Sequence, residues 1–271
     1  MGYDLLTEAL EKLKATTPAP GAWMHHGDAL KMLRALPAGS VDLLFADPPY
    51  FLSNGGTTVQ NGERVSVDKG TWDESQGVRV DRDFQRAWLR AAQRALRSTG
   101  TMFVSGTYHC ILAIGWSMLE QGWNILNLIT WQKPNPPPNL ACRVFTHSTE
   151  QILWAAPEAY EPLKHVFNYA VLKAANDDKQ LKDVWTMTAP GAAEKTHGKH
   201  PTQKPLALLE RIVSAATNPN ALVVDPFAGS ATTGVAALRL GRRFIGSELD
   251  PEHFALASRR LSNAKDLILP P

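Results

Sequence analysis

A chain of 271 residues, 44% of them hydrophobic, is long enough for one sizeable α/β core with inserted loops. Its net charge of +2 neither requires nor excludes a nucleic-acid partner, because charge can be clustered. Two cysteines, Cys110 and Cys142, are too few for a disulfide scaffold and lack metal-ligand spacing. With no membrane-length apolar run and no basic-then-apolar leader, a reducing, cytoplasmic setting without a membrane is expected.

Leu5, Leu6, Leu10 and Leu13 lie on one side of a short N-terminal amphipathic helix, which the run 18–22 breaks. A short strand, a turn at Gly27-Asp28 and a helix ending before Pro37 follow. Residues 41–46 (VDLLFA) form an apolar run interrupted only by Asp42 and closed by Asp47-Pro48-Pro49, which suits a parallel strand buried on both faces. Residues 51–80 are polar and glycine-rich, without a period, and read as a loop. A helix is predicted over 81–97, a strand over 101–106, a helix over 108–122 and a strand over 123–131. The Pro- and Asn-rich segment 133–148 precedes a strand at 151–156, and 158–203 is irregular. Next come a helix over 205–217 with Pro at its first turn, and a strand entering a glycine turn near Gly229. A helix stopped at Gly241, a strand over 242–250 and a last helix over 251–261 complete the order. Strands alternating with helices predict one domain over 1–271, with a doubly wound, mainly parallel sheet. The stretches 51–80 and 133–203 exceed ordinary loop lengths and are expected to have a role.

Three sites carry chemistry. In LLFADPPY a buried strand delivers Asp47 to the carboxyl edge of the sheet, where open α/β folds bind ligands. Pro48 and Pro49 stiffen the corner and remove two donors while keeping their carbonyls. Asp47, the Pro48 carbonyl and the Tyr50 ring suit a flat heterocycle bearing an NH2 group, with Tyr50 stacked on its face. In VVDPFAGSATTG a strand ends at Asp225 before a glycine turn and a helix, the geometry of a nucleotide-binding βα unit. GSATTG does not match GxGxxG, which disfavours a dinucleotide. Glu248, about 20 residues beyond the glycine turn, stands where an acid accepts both ribose hydroxyls.

ADPPY, FAGSATTG and FIGSELD, in this order, resemble the amino-methyltransferases of DNA, specific for adenine N6 or cytosine N4, in the motif order of the β class. GDAL and HPTQKP fit the same pattern, so the resemblance spans residues 25–262. It implies the methyltransferase type of α/β fold with inserted DNA-recognition loops, S-adenosylmethionine as cofactor and double-stranded DNA as partner. It also raises a homodimer and a cognate restriction endonuclease as partners, as in bacterial restriction-modification. By resemblance Asp47, Pro48, Pro49 and Tyr50 are catalytic, and Asp225, Phe227, Gly229, Ser230 and Thr232 form the cofactor turn. Glu248 takes the ribose, Asp28 lies near the adenine, and Lys204 and Pro205 pack beside the methionine part. One departure is Ala231, where the family has a second glycine; if that position needs φ > 0, Ala is strained.

The implied reaction flips the target nucleotide into the Asp47–Tyr50 pocket, since a duplex hides its exocyclic amine. Hydrogen bonds to Asp47 and the Pro48 carbonyl localise the amine lone pair for attack on the sulfonium methyl. An initial Asp is commoner among the adenine enzymes of the family, yet DPPY occurs with both bases, so the base stays open. An RNA or protein amino-methyltransferase, and a DNA-binding relative with weak turnover, are the alternatives. A carbon-5 cytosine enzyme is disfavoured because neither cysteine follows a proline, and a metal site because the histidines are scattered. Segment 51–80 is expected to be a mobile loop that orders over the flipped base, and 133–203 to hold target recognition. Arg82, Arg86, Arg90, Arg94 and Arg97 form a basic stripe that reads first as a solvated face and second as a phosphate contact.

Overall fold

The computed structural model describes residues 2–51, 57–60, 63–66, 73–139, 142–159 and 162–264. In chain order these form α1 (Gly2–Lys12), β1 (Thr16–Ala19), β2 (Ala22–His26), α2 (Ala29–Ala35), β3 (Val41–Ala46), β4 (Thr57–Gln60) and β5 (Glu63–Ser66). Then come α3 (Val78–Ala95), β6 (Leu96–Gly106), α4 (Ile111–Glu120), β7 (Asn124–Gln132), β8 (Thr149–Ala156), α5 (Tyr169–Ala174) and β9 (Val184–Thr186). The chain finishes with α6 (Leu206–Ala216), β10 (Leu222–Asp225), α7 (Thr232–Arg239), β11 (Arg243–Glu248) and α8 (Pro251–Ser262).

Among the described residues nine strands make one sheet, in the order β1-β2-β11-β10-β3-β6-β8-β7-β9. Strands β2, β11, β10, β3 and β6 are mutually parallel, and β8 runs against both β6 and β7. The mainly parallel sheet expected from the alternating pattern is therefore present. In β3, Leu44 and Ala46 enter the core shared with α2, α3 and α4, whereas Leu43 and Phe45 enter the opposite core, built with α6, α7 and α8. A strand buried on both faces needs apolar residues at successive positions, which is why residues 41–46 show no polar alternation apart from half-buried Asp42. Helix α3 is sided instead: Trp88, Leu89 and Ala92 are buried, and its arginines face outward or reach back to neighbours.

Several boundaries differ from expectation. Of the loop expected at 51–80, most side chains lie outside the described residues, but β4 and β5 pair as an antiparallel hairpin within it. A two-stranded ribbon of mixed polar residues lacks the apolar period that marks a core strand, which hid it. The irregular region 158–203 contains α5, β9 and a short 3-10 helix at Ala192–Lys195. β9 is only three residues long and gains its identity by pairing with β7. Pro205 is the N-cap of α6 rather than part of its first turn. Among the described residues no helix is long and apolar enough to cross a membrane.

Candidate active site

Parallel strands put their carboxyl ends on one edge, and four acids use this. Asp225 ends β10, Glu248 ends β11, Asp47 follows β3, and Asp28 lies just beyond β2. Val224 pairs with Leu44, so the ends of β10 and β3 are adjacent. From β10 the chain continues to β11 on one side, and from β3 to β6 on the other. This reversal makes the crevice in which open α/β sheets bind ligands.

The cofactor turn is assembled locally. Asp225 is buried and accepts from the Phe227 N–H at 3.0 Å and from Thr233 Oγ1 at 2.6 Å. Burial pushes its carboxyl up to about 7; those two donors oppose the shift, and the charges of Asp47 and Glu248 reinforce it. Gly229 has φ +52°, and a Cβ there would lie 3.0 Å from the His200 ring, so both conformation and space call for glycine. Glu248 accepts the Gly229 N–H through Oε2 and the Asp250 N–H through Oε1, each at 2.9 Å. Burial raises its pKa, and each oxygen keeps a lone pair for a hydroxyl. Asp28 caps α2 through the Lys31 N–H at 2.7 Å. Ala231 sits at φ +54° and ψ 37°, fully buried, so the departure from glycine does carry strain of about 1–2 kcal/mol.

The catalytic corner is assembled from afar. Asp47 Oδ1 accepts from Tyr50 Oη and from Ser105 Oγ, both at 2.6 Å, and Oδ2 accepts from Lys204 Nζ at 2.5 Å. Lys204 Nζ also lies 3.4 Å from Tyr50 Oη and 3.5 Å from Glu150 Oε2. Glu150 Oε1 in turn meets Lys133 Nζ at 2.5 Å. A carboxylate takes about four donors, so these three leave one place on Oδ2 for an incoming N–H. The backbone of the corner is pinned as well: buried Asp73 accepts the Tyr50 and Phe51 N–H groups, each at 2.8 Å.

Burial alone would raise Glu150, but Lys204 and Lys133 outweigh it and hold its carboxyl below the usual range. Burial would likewise lower Lys204, yet Asp47 and Glu150 raise it, so the ammonium stays charged. Tyr50 is pushed well above its ordinary value, first by burial and then by the charges of Asp47 and Glu150, which keeps its hydroxyl a donor.

The expected site residues converge with few exceptions. Asp28, Asp47, Pro49, Lys204, Asp225, Phe227, Gly229, Ser230, Thr232 and Glu248 line one cleft. Pro48, Tyr50 and Pro205 do not line it. Tyr50, expected to stack on a base, is buried with its hydroxyl on Asp47. Lys204, expected beside the methionine part of the cofactor, reaches the catalytic carboxylate while still lining the cleft. Sequence reasoning missed Ser105, Glu150 and Lys133 at the corner, and Phe84, His200 and His253 in the cleft. The one available signal for Glu150 was a charge opening an apolar strand. The acids, the close-approach glycine turn and the apolar walls of Phe45, Phe84 and Phe227 fit an adenosine bearing an amino-acid tail.

Other candidates find structural roles. Arg94 donates to the carbonyls of Leu33, Arg34 and Leu36 at the end of α2, and Arg86 and Arg97 pair with Glu120 and Asp42. Burial pushes the Cys110 thiol up to about 12, unlike a nucleophile. Among the described residues there is no group of three or more His, Cys, Asp or Glu able to hold a metal.

Residues 41–259 match the family model described as DNA methylase. The chain belongs to this DNA methylase family. It is 50% identical over 237 residues to the Type II methyltransferase M2.LlaDCHI of Lactococcus lactis subsp. cremoris, covering 88% of each chain. It is 50% identical over 236 residues to the Type II methyltransferase M2.DpnII of Streptococcus pneumoniae, covering 87% of this chain and 88% of that one. The crystal structure of the M1.HpyAVI–SAM complex is 31% identical with a TM-score of 0.65, covering 89% of this chain and 98% of that one. This DNA methylase is an S-adenosylmethionine-dependent enzyme that methylates an exocyclic amino group of DNA.

Proposed function

We propose that this DNA methylase is the site-specific modification enzyme of a restriction-modification system, acting on a base flipped out of duplex DNA. The observation that carries the reading is that Asp47 and Gly229, from the two motifs, line the same cleft. In this reading the bound cofactor supplies an electrophilic methyl group. Asp225, Phe227, Gly229, Ser230, Thr232 and Glu248 hold the cofactor, with Asp28 toward its adenine. Asp47 Oδ2 and the Pro48 carbonyl accept the two N–H bonds of the target amine and localise its lone pair, while Pro49 and Tyr50 keep the corner rigid. Lys204 and Pro205 flank the methionine end, with Lys204 also steadying Asp47. Catalysis then rests on positioning and on fixed charges.

Of the two bases, adenine is the one an initial Asp favours by resemblance. Target recognition is assigned to 133–203 and closure over the base to 51–80, within a single domain spanning 1–271. A homodimer, a cognate endonuclease and a cytoplasmic setting complete the proposal; the relatives' Type II designation supports the endonuclease. Modified-base sequencing of DNA from cells expressing the chain tests it. The expected result is N6-methyladenine at one short sequence. N4-methylcytosine would overturn the choice of base, and unmodified DNA alongside methylated RNA or protein would overturn the substrate.

A further inference from the structure

Arg260, on α8, is almost completely buried, with 1% of its surface exposed. Its Nη1 donates to the Ser230 carbonyl at 2.6 Å, to Ser230 Oγ at 2.8 Å and to Thr232 Oγ1 at 2.9 Å. Nε and Nη2 have no hydrogen-bond partner among the described residues, and no ion pair found among those residues includes Arg260. Burial pulls its pKa down to about 10 and the charge of Glu194 opposes this, so the guanidinium remains charged at neutral pH. Glu194 lies beyond ion-pair distance, so the cost of burying this cation is only partly offset, which favours a further anion arriving with a ligand.

The hydroxyls show where that anion would sit. An oxygen that accepts from a guanidinium keeps its own hydrogen to give elsewhere. Ser230 Oγ and Thr232 Oγ1 are 3.3 Å apart, so at most one of those hydrogens is spent between them. Both residues line the cleft that also contains Asp47 and Glu248. They stand at the start of α7, where the helix dipole and free N–H groups add positive potential. Buried cation, helix start and directed hydroxyls together make a receptor for a carboxylate.

We propose that Arg260 is a positioning residue for cofactor binding, which turns the Ser230 and Thr232 hydroxyls into donors toward the carboxylate of the amino-acid tail of S-adenosylmethionine. The proposal rests on this cleft taking that cofactor. It predicts that the tail's carboxylate is felt through two hydroxyls rather than by direct contact with a charged side chain.

Calorimetric titration of the full chain with S-adenosylmethionine and with its decarboxylated analogue tests it. Arg260→Met is expected to weaken S-adenosylmethionine by about tenfold or more, the worth of a charge-assisted contact, and to leave the analogue within about twofold. Arg260→Lys should recover part of the loss. Equal weakening of both ligands would show that Arg260 merely braces the turn, and unchanged affinity for both would equally overturn the proposal. If Arg260→Met does not fold, the double variant Ser230→Ala, Thr232→Val carries the same expectation, and undiminished preference for the carboxylate there overturns it. A wild-type chain that binds neither ligand would instead defeat the cofactor reading itself.

Discussion

The cofactor turn and the catalytic corner are built on opposite plans. The turn is local: Asp225, Phe227 and Thr233 satisfy one another within nine residues, and Glu248 on the next strand closes it by accepting the Gly229 N–H. The corner is global: Asp47 is held by Tyr50, Ser105 and Lys204, with Glu150 and Lys133 behind Lys204. A local device keeps its shape with backbone hydrogen bonds and glycine. A global one depends on buried opposite charges, which are strong only while every partner is present. The corner should therefore be the more easily broken of the two.

The largest effect is expected at the shared acceptor. Asp47→Ala should reduce methyl transfer by about a thousandfold or more while cofactor affinity in calorimetry changes little, because the cofactor turn is built without it. A comparable loss of affinity would mean that the two devices are not separable.

Glu150→Gln comes next. Removing one member of a buried pair leaves Lys204 and Lys133 short of a counter-charge, and should cost about 3 kcal/mol in urea unfolding at neutral pH. Transfer should fall about tenfold at saturating cofactor as Lys204 loosens on Asp47. The pH dependence has a defined sign. The folded-state pKa of Glu150 lies below its ordinary 4.5, so its stabilisation is present above that value and lost as pH falls through the folded value. The Gln variant should accordingly show a flatter acid limb; an unchanged acid limb would place the charge balance elsewhere.

The smallest effect is expected in the turn. Ala231→Gly relieves about 1–2 kcal/mol of left-handed strain, while losing a buried methyl worth about 0.8 kcal/mol and freeing the unfolded chain. The net change in thermal unfolding should stay within about 1 kcal/mol. Ala236→Gly, equally buried but inside α7, should cost about 2 kcal/mol, since helix propensity is lost together with the methyl. Equal costs at the two positions would mean that Ala231 is not strained.

The same contrast explains what could be read in advance. The strands at Val41–Ala46, Leu222–Asp225 and Arg243–Glu248 declared themselves by apolar runs ended by an acid. The glycine turn declared itself by spacing. The hairpin β4–β5 and the three-residue β9 did not, because short strands owe their existence to partners rather than to a period of their own. Lys204 was legible as a site residue from HPTQKP, yet its contact with Asp47 spans 157 positions and leaves no spacing to read. Ser105 looked like any small residue near a strand end, and Arg260 like one more surface charge on an amphipathic helix.

Composition and apolar runs were enough to determine a mainly parallel α/β sheet, because local hydrogen bonding and burial leave periodic marks in the chain, and the order of three short motifs added a methyl-transfer edge by family resemblance. Which carboxylate meets which ammonium, and which arginine lies buried beneath the cofactor turn, was decided only by the packed structure. Electrostatic partnership depends on distance in space, and separation along the chain carries almost no information about it.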